Sequence, residues 1–282
     1  LILGGGPADT AFAFEYAFFL AAAGSDVAIA TPDVRLLPSM DRDVAQIALG
    51  MLAAAGIRLF DGASVRGEGD RVVISHAGGQ DSLPAEIIVA ADVRRPYFET
   101  LNLAAAGVDA EPGGIRVDAA CRTSNPTVFA AGDVTGQVML SNSAAHMGEV
   151  AGTNASGGNA RARLSRIPHM LHTVPEIGWI GLTESAAKEM GRDVMTGVFD
   201  LSYNARAITL GAREGVVKVV AERELGEVLG VHVVGPGVAE IINIAATVMQ
   251  SEATIHDLAA MTYWHPSLAE ALVEAARRAC QS

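Results

Sequence analysis

The chain opens on an apolar run, Leu1-Ile2-Leu3, that passes directly into Gly4-Gly5-Gly6. A largely apolar stretch follows to Ala23, where Gly24 stops it, and Asp26–Ala30 resumes as a short apolar run. Strand, glycine turn, helix and strand in that order predict a βαβ unit. The pattern then repeats. Residues 43–55 (DVAQIALGMLAAA) are amphipathic at helical spacing and end at Gly56, and IRLF predicts a third strand. Residues 62–90 predict short antiparallel strands, with a turn at Gly78-Gly79.

The rhythm changes after residue 90. Residues 91–160 predict a loop with a short helix, a strand from Ile115, a turn at Asn125-Pro126, and a buried strand Val128–Asp133. A helix is predicted from about 142 to 152. Residues 154–166, small, polar and basic, read as a linker. In the last segment VVKVVAE and VLGVHVVG predict strands around a charged hairpin. Helices are predicted over 238–250 and 254–261, with a terminal helix opening at Pro266. Strands followed by helices predict an α+β domain.

The chain has 282 residues, half of them apolar, which is enough for about two domains with a substantial core. A net charge of −12 argues against nucleic acid or an anionic membrane surface as partner. Mean hydropathy is +0.30. The most apolar stretch, residues 11–24, is interrupted by Glu15 and is shorter than the ~20 residues a membrane span needs. No signal-peptide pattern precedes the first strand, and the lack of a starting Met suggests part of a longer chain. Cys121 and Cys280 form no CxxC, CxxxxC or zinc spacing, and two unpaired thiols suit a reducing, cytoplasmic setting. His169 and His172 stand three apart with no third ligand, so an interface strand is the better reading and no metal is expected. His146 is expected to face outward from its helix, and His232 to alternate along its strand.

Two stretches carry candidate chemistry. Gly4, Gly5 and Gly6 before a helix supply the tight turn and close backbone approach that a dinucleotide pyrophosphate needs, so NAD is the expected ligand. Thr31, at the end of the second strand, stands where a ribose-binding acid is expected. The second stretch is HPSLAEALVEAA, residues 265–276. Proline is tolerated in the first turn of a helix, which puts His265 at its mouth and Glu270 one turn in. A carboxylate on one imidazole nitrogen fixes the tautomer and strengthens the other nitrogen as a base.

LILGGG, VRLLPSMDRDVA, RTSNPTVFAAGDVTG, IPHMLHTVPEIGWIGLTESAA, LGEVLGVHVVGPGVAEII and HPSLAEALVEAA occur in one order. That order resembles the flavoprotein pyridine nucleotide-disulfide oxidoreductases, nearest their dihydrolipoamide dehydrogenase branch, over essentially the whole chain. The resemblance implies an α/β fold. Residues 1–90 would be a Rossmann-like NAD-binding domain, 91–160 the C-terminal part of an FAD-binding domain, and 167–282 an α+β dimerisation domain. It implies FAD as a second cofactor, with Gly132 and Asp133 at the flavin's ribityl–pyrophosphate region and Glu15 near flavin and nicotinamide. It makes His265 and Glu270 the acid–base pair for a dithiol, reaching into the partner's active site across a two-fold dimer.

The implied function is dithiol oxidation coupled through FAD to NAD reduction. The implied partners are a second copy, an N-terminal FAD domain in the same or another chain, and components of 2-oxo acid dehydrogenase complexes. The chain departs from the pattern where Asp92-Val93 replaces Thr-Gly after Ala91, Asn142 replaces a histidine, and Tyr263 replaces another. No redox CxxxxC is present. A noncatalytic dimerising scaffold, or an FAD-dependent NAD(P)H reductase or transhydrogenase lacking the disulfide, are the alternatives.

Residues 167–282 are expected to hold a homodimer through an interface of more than ~2,000 Å² in total. Sedimentation at micromolar concentration should show a dimer, and a stable monomer would contradict the assignment.

Overall fold

A computed structural model describes residues 1–4, 10–32, 37–91 and 94–282. The expected Gly5 and Gly6 contacts lie outside the described residues. The chain divides into two compact units, Leu1–Val93 with Met170–Ser282, and Arg94–His169. The sequence separates the first and last segments into different domains. In the structure they share one unit.

That first unit begins with β1 (Ile2–Gly4), α1 (Thr10–Ala22), β2 (Ala28–Ala30), α2 (Arg42–Ala54) and β3 (Arg58–Phe60). β4 (Ser64–Glu68), β5 (Arg71–His76) and β6 (Gly79–Pro84) follow as an antiparallel sheet, then β7 (Val89–Ala91). β3-β2-β1-β7 form a four-stranded sheet in that order, with all pairs parallel. Parallel neighbours with helical crossovers are the expected βαβ arrangement.

The second unit contains β8 (Ala110–Glu111), β9 (Gly114–Ile115) and α3 (Ser141–Ala155). The expected strand Val128–Asp133 does not form. Arg122 and Phe129 make an isolated bridge, and Gly132–Thr135 is a 3-10 turn. The expected linker is tied down as well. Asn154, 4% exposed, donates to the carbonyls of Ala120 and Ala160 and accepts from the Ala160 N–H. His146 is half-buried rather than outward, its Nε2 accepting from the Arg163 N–H.

The chain returns to the first unit through β10 (His169–Leu171), β11 (Glu176–Gly181), α4 (Glu184–Glu189), β12 (Val194–Asp200) and α5 (Ala205–Leu210). β13 (Val216–Glu222), β14 (Val228–Gly235), α6 (Val238–Gln250), α7 (Ile255–Ala260) and α8 (Glu270–Ala279) complete it. The five-stranded sheet runs β10-β11-β14-β13-β12. No helix of the described residues is long and apolar enough to cross a membrane.

Every residue of β13 and β14 is buried, and His232 alternates as expected, with Val231 and Val233 on one face and its own ring on the other. The strands are covered on both faces. Val217, Val219, Val231 and Val233 pack against α6 and α8, and Val216 and Val234 join the core built around α1 and α2. The period of two therefore sends Lys218 and His232, register partners on adjacent strands, to the face under α2.

There Lys218 Nζ lies 2.9 Å from Asp41 Oδ1, 2.7 Å from Asp43 Oδ2 and 2.8 Å from Glu184 Oε2. Asp41 Oδ2 accepts from the Glu184 N–H at 2.8 Å. The Asp41 N–H donates to His232 Nδ1 at 3.2 Å, and His232 Nε2–H donates to the Leu182 carbonyl at 3.0 Å. Three clustered carboxylates resemble a metal site, but the cation among them is the lysine's own ammonium. Burial alone works against the Lys218 charge. Hydrogen bonds to Asp43, Glu184 and Asp41 outweigh it and raise the lysine's pKa.

Burial pushes the Asp41 carboxyl up, yet the Glu184 N–H and Lys218 hold it below its ordinary range. Lys188 and then Lys218 hold Glu184 low. Burial pushes His232 below its ordinary 6.5. A second proton on its ring would also point an Nδ1–H at the Asp41 N–H, beside Lys218. Groups whose folded pKa is depressed contribute stability above their unfolded pKa and lose it as pH falls. His232 therefore weakens the fold as pH drops below 6.5, and Asp41 and Glu184 add to the loss below the ordinary carboxylate range. The urea midpoint is expected to fall between about pH 7 and pH 5, with a shallower fall in His232→Gln. A midpoint that stays flat in the unsubstituted protein would contradict this account.

Candidate active site

The terminal helix is set against β12 at Gly197, where an added Cβ would run into the Ala275 carbonyl oxygen. This close approach fixes α8 and with it the turn before it. The sequence places the helix start at Pro266, but α8 begins at Glu270. The reason is the Glu270 carboxylate itself. Its Oε1 accepts from the Ser267 N–H, and its Oε2 accepts from His265 Nδ1 at 2.9 Å. One side chain thus closes residues 265–269 into a turn that replaces the helical one. The carboxylate is largely covered, with its side chain 11% exposed, while the His265 ring is 67% exposed. Nδ1 is engaged, and Nε2 is the nitrogen left to exchange a proton.

A residue that the sequence reading missed also holds this turn. Asn204, 2% exposed, caps α5 by accepting from the Ala207 N–H and donates to the Ser267 carbonyl at 3.0 Å. Its sequence signal is an Asn directly before a helical run, the ordinary N-cap pattern.

The expected nucleotide residues sit at the carboxyl edge of the parallel sheet. Gly4 ends β1, and Thr31 follows β2 one residue past the Leu3–Ala30 pair. Thr31 is 1% exposed; its N–H donates to the Phe60 carbonyl and its own carbonyl accepts from the Ala63 N–H. Its backbone continues the pairing toward β3. Glu15, on α1, accepts from the His172 N–H at 2.7 Å, which ties α1 to the end of β10.

Gly132 and Asp133 belong to the second unit and open its 3-10 turn. Gly132 has φ +77°, and an added Cβ would lie 3.0 Å from Ala144 Cβ, so glycine is needed both for the turn and for packing under α3. Asp133 is exposed. The fifteen-residue α3 starts at Leu140–Ser141 without a side-chain cap, and the buried Ser143 Oγ in its first turn has no hydrogen-bond partner. An uncapped helix start with an orphaned hydroxyl suits an acceptor-rich group such as a flavin dinucleotide. The residues present therefore fit FAD. Cys121 and Cys280 are both free thiols, the first buried and the second exposed.

Residues 1–148 match the family described as pyridine nucleotide-disulphide oxidoreductase, and residues 167–276 match its dimerisation domain. The chain is 35% identical over 279 residues to a dihydrolipoyl dehydrogenase of Bacillus subtilis, aligned across 98% of this chain and 60% of the relative. It is 37% identical over 284 residues to a dihydrolipoyl dehydrogenase of Thermus scotoductus, again across 98% and 60%. Among solved structures, LpdA from Mycobacterium tuberculosis aligns with a TM-score of 0.87 at 29% identity, over 98% of this chain and 60% of that one. The HOCl-induced flavoprotein disulfide reductase RclA from Escherichia coli aligns with a TM-score of 0.84 at 25% identity, over 98% and 63%. The chain thus spans about 60% of the length of the curated relatives it matches.

Removing the Glu270 carboxylate leaves the Ser267 N–H and the His265 ring unpartnered. Glu270→Ala is expected to destabilise the fold by about 1–3 kcal/mol in urea unfolding. A change below about 0.3 kcal/mol, within the spread of ordinary surface substitutions, would contradict the capping role.

Proposed function

Because the chain belongs to the pyridine nucleotide-disulphide oxidoreductase family, we propose that it forms the nucleotide-binding and dimer-forming part of a dihydrolipoyl dehydrogenase-type enzyme. Enzymes of this family use FAD and NAD. The observation that carries the reading is the His265–Glu270 pair: an exposed imidazole whose Nδ1 is held at 2.9 Å by a covered carboxylate. A base of this kind accepts a thiol proton at Nε2. Glu270, already on Nδ1–H, stabilises the imidazolium that results.

The overall chemistry is oxidation of dihydrolipoamide by NAD+. The dithiol gives up two electrons and two protons. NAD+ takes both electrons with one proton as hydride, and the remaining proton leaves. FAD, when bound, supplies a two-electron carrier between the two substrates, with Gly132, Asp133 and the start of α3 as its holders here. The carboxyl edge of β1 and β2 receives the nicotinamide nucleotide. His265 moves protons to and from the dithiol, Glu270 orients it, and Asn204 and the Gly197 contact hold the turn that carries both. The match of residues 167–276 to a dimerisation domain supports a homodimer in which each His265 serves its partner.

In the natural full-length protein, His265→Gln is expected to cut dihydrolipoamide-dependent NAD+ reduction by about 10²–10⁴-fold, the usual worth of a positioned acid–base. Glu270→Gln should cost less, because the base stays in place. Both should keep flavin absorbance, since neither residue lies near Gly132 or Asp133 in sequence. Near-normal turnover in His265→Gln would sink the assignment. So would activity lost in step with flavin or dimer.

A further inference from the structure

The cluster around Lys218 is not explained by the proton chemistry at His265. It sits where the nucleotide site is expected to have its rim. β1 and β2 run parallel, and α2 follows β2 in the chain, so α2 begins on the carboxyl side of that sheet. Ligands of open α/β sheets bind outside the carboxyl ends of the strands. The first turn of α2 therefore borders the crevice that would take the nucleotide.

This turn is held from outside its own domain. Asp41 donates its N–H to His232, while its Oδ1 accepts from Lys218 Nζ and its Oδ2 from the Glu184 N–H. Asp43, with its side chain 66% exposed, gives its carboxylate to Lys218 as well. All of these partners belong to the C-terminal segment. Within the turn itself, the Asp41 carbonyl accepts the Ala45 N–H, the ordinary start of the helix. The Asp41 side chain does not cap its own helix, which has no side-chain cap. It is diverted to the five-stranded sheet instead.

We propose that Lys218 is a positioning residue for the nicotinamide nucleotide: by gripping Asp41 and Asp43 it fixes the start of α2, and so the rim of the crevice, from the C-terminal domain. The inference rests on the nucleotide-binding reading given above. A rim fixed in its bound arrangement lowers the ordering cost of binding. A loosened one raises the dissociation constant without touching the groups that handle protons.

The test is NAD+ binding to the natural full-length protein by titration calorimetry, read beside thermal unfolding. Lys218→Met, which keeps the chain length and removes the charge, is expected to raise Kd about tenfold, with Lys218→Arg recovering part of the loss. Asp43→Asn removes one of the three negative charges around Lys218 at an exposed position, remains folded if Lys218→Met does not, and should raise Kd about threefold. Val231→Ala opens the buried core on the opposite face of the sheet. It should lower the melting temperature while leaving Kd unchanged. The proposal is overturned if Asp43→Asn binds NAD+ within a factor of about two of the unsubstituted protein. It is also overturned if Val231→Ala raises Kd as much as Asp43→Asn. If the unsubstituted protein binds no NAD+, the nucleotide-binding reading itself fails, and this proposal fails with it.

Discussion

A single ammonium group sets how the two ends of the sequence come together. Lys218 is 2% exposed, and its charge is affordable only because three carboxylates reach it. An unpaired buried charge costs several kcal/mol, and breaking such a pair costs about 3–5 kcal/mol. The sheet that carries Lys218 therefore needs α2 above it, and α2 needs the sheet to hold its first turn. Apolar contacts complete the joint. Leu171, Ile177, Trp179, Val216 and Val234 share a core with Phe14, Val44 and Leu52. The polar cluster supplies register, because α2 must be placed so that Asp41 and Asp43 reach the same nitrogen that Glu184 of α4 already holds.

The C-terminal segment thus does two things with the two faces of one sheet. On one face it holds α2, at the edge where a nucleotide is expected. On the other, α8 lies close on β12 at Gly197 and presents the turn that carries His265. In both places a carboxylate satisfies a ring or an amine and a backbone N–H together: Asp41 for Lys218 and Glu184, Glu270 for His265 and Ser267. One carboxylate with two partners fixes direction as well as distance, which suits both a base and a rim.

The local pattern of apolar residues was enough to read β13, β14, α6 and α7 and to place α2 within a residue of its ends. The His265–Glu270 pair was legible because both residues lie within one turn of chain. Lys218 was not, because Asp41 lies 177 positions away and nothing in VVKVVAE marks the lysine as buried. His232 was legible as an alternating strand residue, but alternation says which residues share a face, not that a second layer covers it. The stretch from Val128 to Asp133 has the composition of a strand but finds an isolated bridge, to Arg122, in place of a sheet. The start of α8 moved from Pro266 to Glu270 because a side-chain contact, not backbone propensity, decided it.

Native-state amide hydrogen exchange at Asp41 and Glu184 tests the joint most directly. The Asp41 N–H is bonded to His232 and the Glu184 N–H to Asp41, so neither is free to exchange while α2 remains on the sheet. If the N-terminal sheet and the C-terminal domain form one cooperative unit, both amides should exchange through the same opening. Their protection should then match that of Val219 and Val231 in the core. Fast exchange at Asp41 and Glu184 while Val219 and Val231 stay protected would show that α2 lifts away on its own, and would contradict the account.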